Sequence, residues 1–179
     1  MKVAFISDFF LSDGIIGGAE LVNDCLIGRL RTRGYQIDPK RSGDPIDLEE
    51  YDFFIVSNFI NMPEEIKESL YDKDYVIYEH DHKYLKNRNP SVFPDFKAPA
   101  HMIINEKFYR SARAVFCQSN IHAEVVRNNL SIRNVVNTGC SLWHEPQMAT
   151  LRKHADNKKK PVYAIMDSPN SIKGQFDIL

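Results

Sequence analysis

Residues 1–34 read MKVAFISDFFLSDGIIGGAELVNDCLIGRLRTRG, and their pattern of apolar residues indicates the fold class. It opens with a continuous apolar run at residues 3–6, which is typical of a strand covered on both faces. A loop follows, and after it apolar residues recur at the three- and four-residue spacing of one helical face: Ala19, Val22, Leu26 and Leu30. The stretch therefore predicts a strand, a loop and a helix, which together form the first unit of a parallel α/β sheet.

The rest of the chain repeats this alternation. Further strands are predicted at residues 35–37, 51–57, 75–79, 114–118 and 135–137. Helices are predicted at 63–70, 100–111 and 120–129, and the proline-containing stretch 81–99 is predicted to be a long loop. The predicted fold class is α/β, with a Rossmann-like open parallel sheet that carries helices on both faces.

The composition changes after Trp143. Residues 151–160 are polar and basic, which is typical of a linker or a solvated helix end, and Pro161 introduces a new apolar run at 162–165. We therefore predict a Rossmann-like domain over residues 1–150. Residues 151–179 are predicted to be a linker and the first strand and turn of a second, truncated domain.

Composition and charge exclude several classes of protein. The 23 Lys and Arg residues balance 24 Asp and Glu residues, so the net charge of −1 argues against a nucleic-acid binder held by phosphate contacts. No apolar run approaches the roughly 20 residues that a membrane helix requires. The three cysteines form no CxxC motif, and Cys25 and Cys117 lie in apolar patterns, so we predict buried thiols and a cytoplasmic protein.

Gly17 and Gly18 follow the first strand and open the first helix. Unpaired backbone N–H groups and the helix dipole at such a place favour an anion such as a phosphate, and glycine also permits positive φ. The same doublet is equally typical of a tight strand–helix turn. Because Gly14, Gly17 and Gly18 lack the GxGxxG spacing, a dinucleotide site is not predicted.

Glu79, His80, Asp81 and His82 lie at the carboxyl end of the fourth predicted strand, the edge at which ligands bind in open α/β sheets. His80 is the candidate for hydrogen bonding or general acid–base chemistry near neutral pH. Two histidines and two carboxylates also permit a metal-dependent hydrolase, although neighbouring residues at a strand end point to alternate sides. A polar cluster with only a structural role is the third interpretation.

Taken in order, these motifs resemble the N-terminal domain of GT-B glycosyltransferases of the family 4 type. The resemblance rests on Gly-Gly-Ala-Glu at 17–20, His80-Asp81, the strand and serine at 115–120, and Asn-Thr-Gly-Cys at 137–140. Residues 161–164 and Lys173-Gly174 resemble the first strand and Lys-Gly turn of the donor domain in that family.

The resemblance implies a catalytic role for His80, which would contact the transferring sugar. It implies a substrate- or phosphate-binding set: Gly17, Gly18, Glu20, Asp81, Ser119 and Lys173. Within that set, the two glycines approach the donor phosphates or the sugar, Glu20 orders the turn, and Lys173 neutralises the leaving diphosphate.

The implied function is a hexosyltransferase-type reaction. A sugar passes from a nucleotide-sugar donor to a glycan or small-molecule acceptor, with retention of configuration and no metal or other cofactor. Ser168 stands where the family usually has an arginine, and the family's later glutamate-containing segment is absent. The chain alone is therefore expected to be catalytically incomplete and to need a C-terminal domain or a partner. The alternative is a non-catalytic binding module derived from such an enzyme.

Overall fold

Six parallel strands form the centre of the molecule. The computed structural model describes residues 1–15 and 17–155, and the sheet has the order β2-β1-β3-β4-β5-β6. The strands are β1 (Lys2–Ser7), β2 (Gln36–Arg41), β3 (Phe53–Val56), β4 (Tyr75–Tyr78), β5 (Ala114–Cys117) and β6 (Val135–Asn137). The predicted α/β class with a Rossmann-like open sheet is confirmed.

The helices are α1 (Gly18–Thr32), α2 (Glu64–Leu70), α3 (Glu106–Ser111), α4 (Asn120–Leu130) and α5 (Glu145–His154). The chain divides into two compact units, Met1–His144 and Glu145–Leu179. The sheet and α1–α4 belong to the first unit, whereas α5 belongs to the second and has no buried residue. The domain boundary predicted between residues 150 and 151 stays a prediction.

The two faces of the sheet are packed differently. Leu70 of α2, Phe108 of α3 and Val126 of α4 belong to the larger buried cluster, together with alternate strand residues such as Ile77. On the opposite face, residues of α1 such as Ile27 pack on the strands of a smaller cluster. A cavity of about 400 Å³ lies on this second face between α1 and strands β3–β5, and its walls are apolar.

Two predicted elements differ from those observed. Strand β2 continues to Arg41 although it contains Pro39, because β2 is an edge strand and the missing N–H of proline faces no partner there. The helix predicted at 100–111 is a short 3-10 turn, Ala100–Met102, followed by α3. Between them, Ile103 pairs with Leu85, and Asn105 takes a left-handed conformation with φ of 54°.

The structure also bears on the cysteines and on the length of the apolar segments. Cys25 and Cys117 are buried free thiols, as the apolar pattern predicts, whereas Cys140 is exposed. Burial raises the pKa of the Cys117 thiol to about 12, with a smaller contribution from the Glu79 charge. Within residues 1–15 and 17–155, no helix has the length and apolar character needed to cross a bilayer.

Candidate functional site

Polar residues lie at the carboxyl ends of the central strands and meet in one cluster around Asn23 and His80. Ser7 ends β1, Ser57 follows β3, His80 follows β4 and Gln118 follows β5. Because all strands are parallel, these ends lie at one edge of the sheet. Asn23, a fully buried residue in the second turn of α1, joins this group from the helix side.

The group forms a continuous hydrogen-bonded network. The Asn23 amide donates to the Ser7 hydroxyl (3.2 Å), and its oxygen accepts from the Ser57 hydroxyl (2.8 Å). His80 Nε2 lies 3.1 Å from the same Asn23 oxygen, and Gln118 Nε2 lies 2.9 Å from His80 Nδ1. The network therefore connects four strand ends to α1: Ser7, Ser57 and His80 contact Asn23 directly, whereas Gln118 reaches it through the His80 imidazole.

These contacts determine the protonation of His80. The Gln118 amide donates to Nδ1, so the ring proton lies on Nε2 and is donated to Asn23. Burial lowers the pKa of His80 to about 4, and the positive charge of Lys83 adds to that effect. His80 is therefore a neutral hydrogen-bonding group at neutral pH, with a fixed tautomer and both nitrogens engaged.

The Gly17-Gly18 turn lies at the start of the helix that carries Asn23. Gly17 is the N-cap of α1 with an extended φ of −133°, and neither glycine uses the positive φ that glycine permits. A Cβ at position 17 would meet the carboxylate end of Glu20, so a larger residue there would displace that side chain. Glu20 is buried and folds back on the turn, where it fills the space beside Gly17.

Within the described residues, no side-chain hydrogen bond caps the first turn of α1, whose N-cap is a glycine. The N–H groups at the beginning of a helix have no partner within the helix, and they carry its partial positive charge. This end of α1 therefore has the backbone arrangement that a phosphate can bind, and the buried Glu20 carboxylate lies beside it.

Glu79 belongs to a separate buried cluster. Its carboxylate is fully buried, accepts from the Asp81 N–H (3.0 Å) and the Tyr109 hydroxyl, and lies 3.5 Å from the Lys83 ammonium. Burial alone would raise the pKa of Glu79, but the Lys83 charge and the Tyr109 hydroxyl outweigh it and hold the pKa at about 2. Glu79 is thus a fixed anion that anchors the loop after β4.

Asp81 and Ser119, two of the remaining predicted residues, have partners outside the His80 network. Asp81 binds Lys83 and the Arg88 guanidinium, which lies 2.9 Å away. Ser119 is the N-cap of α4, and its hydroxyl accepts from the His122 N–H (3.1 Å). Lys173 lies outside the described residues. The structure thus brings His80 together with the helix that Gly17 and Gly18 open, whereas Asp81 and Ser119 contact other partners.

The two histidines and two carboxylates at residues 79–82, considered above as a possible metal site, do not converge on one point. His82 Nδ1 lies 2.9 Å from the Tyr84 hydroxyl, and its ring packs edge-on against His122. Glu79 binds Lys83, and His80 binds Asn23 and Gln118. Over residues 1–15 and 17–155, no three His, Cys, Asp or Glu side chains come together as ligands for a metal ion.

Sequence reasoning missed the partners of His80. Asn23 lies within the apolar stripe of α1, where a lone polar residue is itself a signal, since a buried amide requires partners. Ser7 is the last residue of β1, and Ser57 directly follows β3. Gln118 directly follows β5. The repeated occurrence of polar residues at strand ends is the sequence signal that could have indicated these partners of His80.

No protein-family model matches the chain, and no curated protein matches it significantly.

Proposed function

We propose that the chain is the acceptor-side domain of a glycosyltransferase that uses a nucleotide-sugar donor. One observation carries the proposal: His80, held neutral at the carboxyl edge of the sheet, is joined through Asn23 to the helix that begins at Gly17-Gly18. In the observed strand order, the chain passes from β1 to β2 on one side and then crosses back to β3 on the other side of β1. The strand order thus reverses between β1 and β3, and in open α/β sheets ligands bind at such a point.

The chemistry of sugar transfer fits this arrangement. Breaking the bond between a sugar and a diphosphate leaves negative charge on the leaving group, and helix N-termini stabilise such charge. A neutral imidazole with its proton fixed on Nε2 is suited to donate to a sugar hydroxyl. For that contact, the sugar oxygen replaces Asn23 as the acceptor, and Gln118 continues to hold the tautomer.

The test separates chemistry from binding. In the protein made from its complete native reading frame, His80→Ala is expected to lower kcat at least about 100-fold while changing donor KM much less, since the lost contact acts on the reacting sugar. His80→Gln, which retains an N–H donor, is expected to recover part of the rate. Equal kcat in wild type and His80→Ala removes His80 from the reaction.

A non-catalytic binding module is the second candidate, and the apolar cavity favours it. Leu26 of α1, Ile55 of β3 and Phe116 of β5 line that cavity, and the neighbouring Val136 is 41% exposed. An exposed apolar surface of this kind is typical of an interaction site. Light scattering tests this candidate: self-association of the chain supports it, and a strictly monomeric chain counts against self-pairing.

A further inference from the structure

A second cavity lies beyond the carboxyl ends of β3 and β4, apart from the His80 network. Its volume is about 230 Å³, and its walls come from the segment after β3, from α2, and from residues between Lys83 and Asn105. Four of its lining residues are cationic: Lys67, Lys83, Lys86 and Arg88. No step of the proposed transfer reaction uses this cavity.

Acidic partners neutralise three of these cations. Lys67 pairs with Glu64 at 3.0 Å, Lys83 with the buried Glu79, and Arg88 with Asp81. Within the part of the chain that the structure describes, the Lys86 ammonium has no ion pair or hydrogen bond. The cavity therefore keeps one unmatched positive charge, and Lys86 carries it.

The other lining groups determine what kind of molecule fits. Ile60 and Ile104 line the same cavity and are 56% and 36% exposed, so its walls are apolar as well as cationic. Asn105 joins two of the walls, since its oxygen accepts from Lys67 (3.2 Å) and its amide donates to the Lys83 carbonyl (2.9 Å). The cavity is thus polar on one side and apolar on the other.

The backbone around this cavity is strained. Arg88 and Asn105 both take left-handed conformations, with φ of 53° and 54°, which non-glycine residues rarely adopt. Such conformations persist where the surrounding structure holds them, and they occur at ligand-binding sites. Both residues line the cavity.

We propose that this cavity binds a small organic anion, a phosphate monoester or a carboxylate carried on an apolar body, with Lys86 as the principal contact for the anionic group. Lys67 and Arg88 flank the anion, and Ile60 and Ile104 contact the apolar part. A polyanion such as nucleic acid does not fit, because the net charge of the chain is −1 and the cations are gathered in one small cavity. The proposal does not depend on the transferase reaction.

The experiment is a titration of the full chain with phenyl phosphate, followed by calorimetry and by amide NMR shifts. Saturable binding is expected, with shifts at residues around the cavity, and Lys86→Gln is expected to weaken it about tenfold through loss of a charge-assisted hydrogen bond. Lys97→Gln is the matched control, because Lys97 is an exposed lysine outside the lining of this cavity. That variant is expected to bind like the wild type.

Phenol and benzoate separate the contributions of the two halves of the ligand. Phenol lacks the anion and is expected not to bind measurably, whereas benzoate is expected to bind and to compete with phenyl phosphate. The proposal is overturned by absence of saturable phenyl phosphate binding, by phenol binding equally well, or by equal losses in the Lys86 and Lys97 variants. Lys86 is exposed, so its replacement leaves the fold intact, and circular dichroism verifies this.

Discussion

Replacement of Glu79 by glutamine tests the electrostatic anchor beneath the candidate site. The substitution keeps the size of the side chain and removes its charge. Lys83, which is 3% exposed, is then left with Asp81 as its acidic partner, and Tyr109 donates to a neutral amide oxygen. A buried ammonium that loses one of its two carboxylate partners keeps its desolvation cost with less compensation, so the substitution is destabilising.

The expected loss follows from the pKa of Glu79. The ordinary value of 4.5 and the value of about 2 in the folded chain differ by an amount that corresponds to about 3 kcal/mol of unfolding free energy. Breaking a buried ion pair typically costs about 3–5 kcal/mol. Because Asp81 remains near Lys83, we expect a loss of about 3 kcal/mol at pH 7.

Urea unfolding at pH 7 measures this loss. Glu64→Gln is the control, since Glu64 also pairs with a lysine but is exposed, and its loss is expected to stay below about 1 kcal/mol. The double variant Glu79→Gln/Lys83→Met is expected to be more stable than the sum of the single losses predicts, since neither charge is then left alone. Equal losses of unfolding free energy in Glu79→Gln and Glu64→Gln would show that the buried ion pair is no more important than the exposed one. Strictly additive losses in the double variant would show that Glu79 and Lys83 do not stabilise each other.

Three further outcomes are expected. As the pH falls from 6.5 to about 4, the unfolding free energy decreases by up to about 3 kcal/mol for each of His80 and His82, because these histidines take up protons in the unfolded chain before they do so in the folded one. Equal unfolding free energies at the two pH values contradict the burial of neutral histidines. Ser119→Ala lowers the free energy of unfolding by about 1 kcal/mol through loss of the α4 cap, and an unchanged urea midpoint speaks against the cap. Ellman's reagent labels the exposed Cys140 in the folded chain and Cys117 only after unfolding; labelling of Cys117 in the folded chain contradicts its burial.

The sequence predicted the architecture because apolar periodicity is a local property. Over residues 1–15 and 17–155, every predicted strand is observed, and the strand predicted at 162–165 lies outside the described residues. Helix α1 begins at Gly18 and ends before Gly34, as its spacing and glycine signals predict. The helix predicted at 100–111 failed because contacts distant in sequence interrupt it: the Ile104 N–H donates to the Tyr84 carbonyl (2.8 Å) in place of a helical partner.

The sequence predicted the position of His80 but not its surroundings. Strand-end residues lie at the ligand-binding edge of any parallel sheet, so placing His80 there required only the strand assignment. Its partners are 57 and 38 residues away along the chain, Asn23 on a helix and Gln118 on another strand end. Only the fold brings these residues together, and no pattern along the chain encodes which of them meet.

The alternation of neighbouring residues explains why the Glu79–His82 stretch gives no single site. Glu79 turns into the core towards Tyr109, whereas His80 turns towards α1 and Asn23. Adjacent side chains at a strand end point to opposite faces, and this alternation is the reason that the four residues do not form a metal centre. The specific partner of Glu79, Lys83, was not predicted, since a buried lysine is rare.

Release of nucleoside diphosphate from sugar nucleotides tests the central claim most directly. The protein made from its complete native reading frame is incubated with UDP-glucose, UDP-N-acetylglucosamine and GDP-mannose, each with and without a mixture of candidate acceptors. We expect release above the spontaneous rate with at least one donor, and a large decrease in that release in His80→Ala. Release at the spontaneous rate with every donor, under conditions in which the protein is folded, would contradict the proposed transferase function.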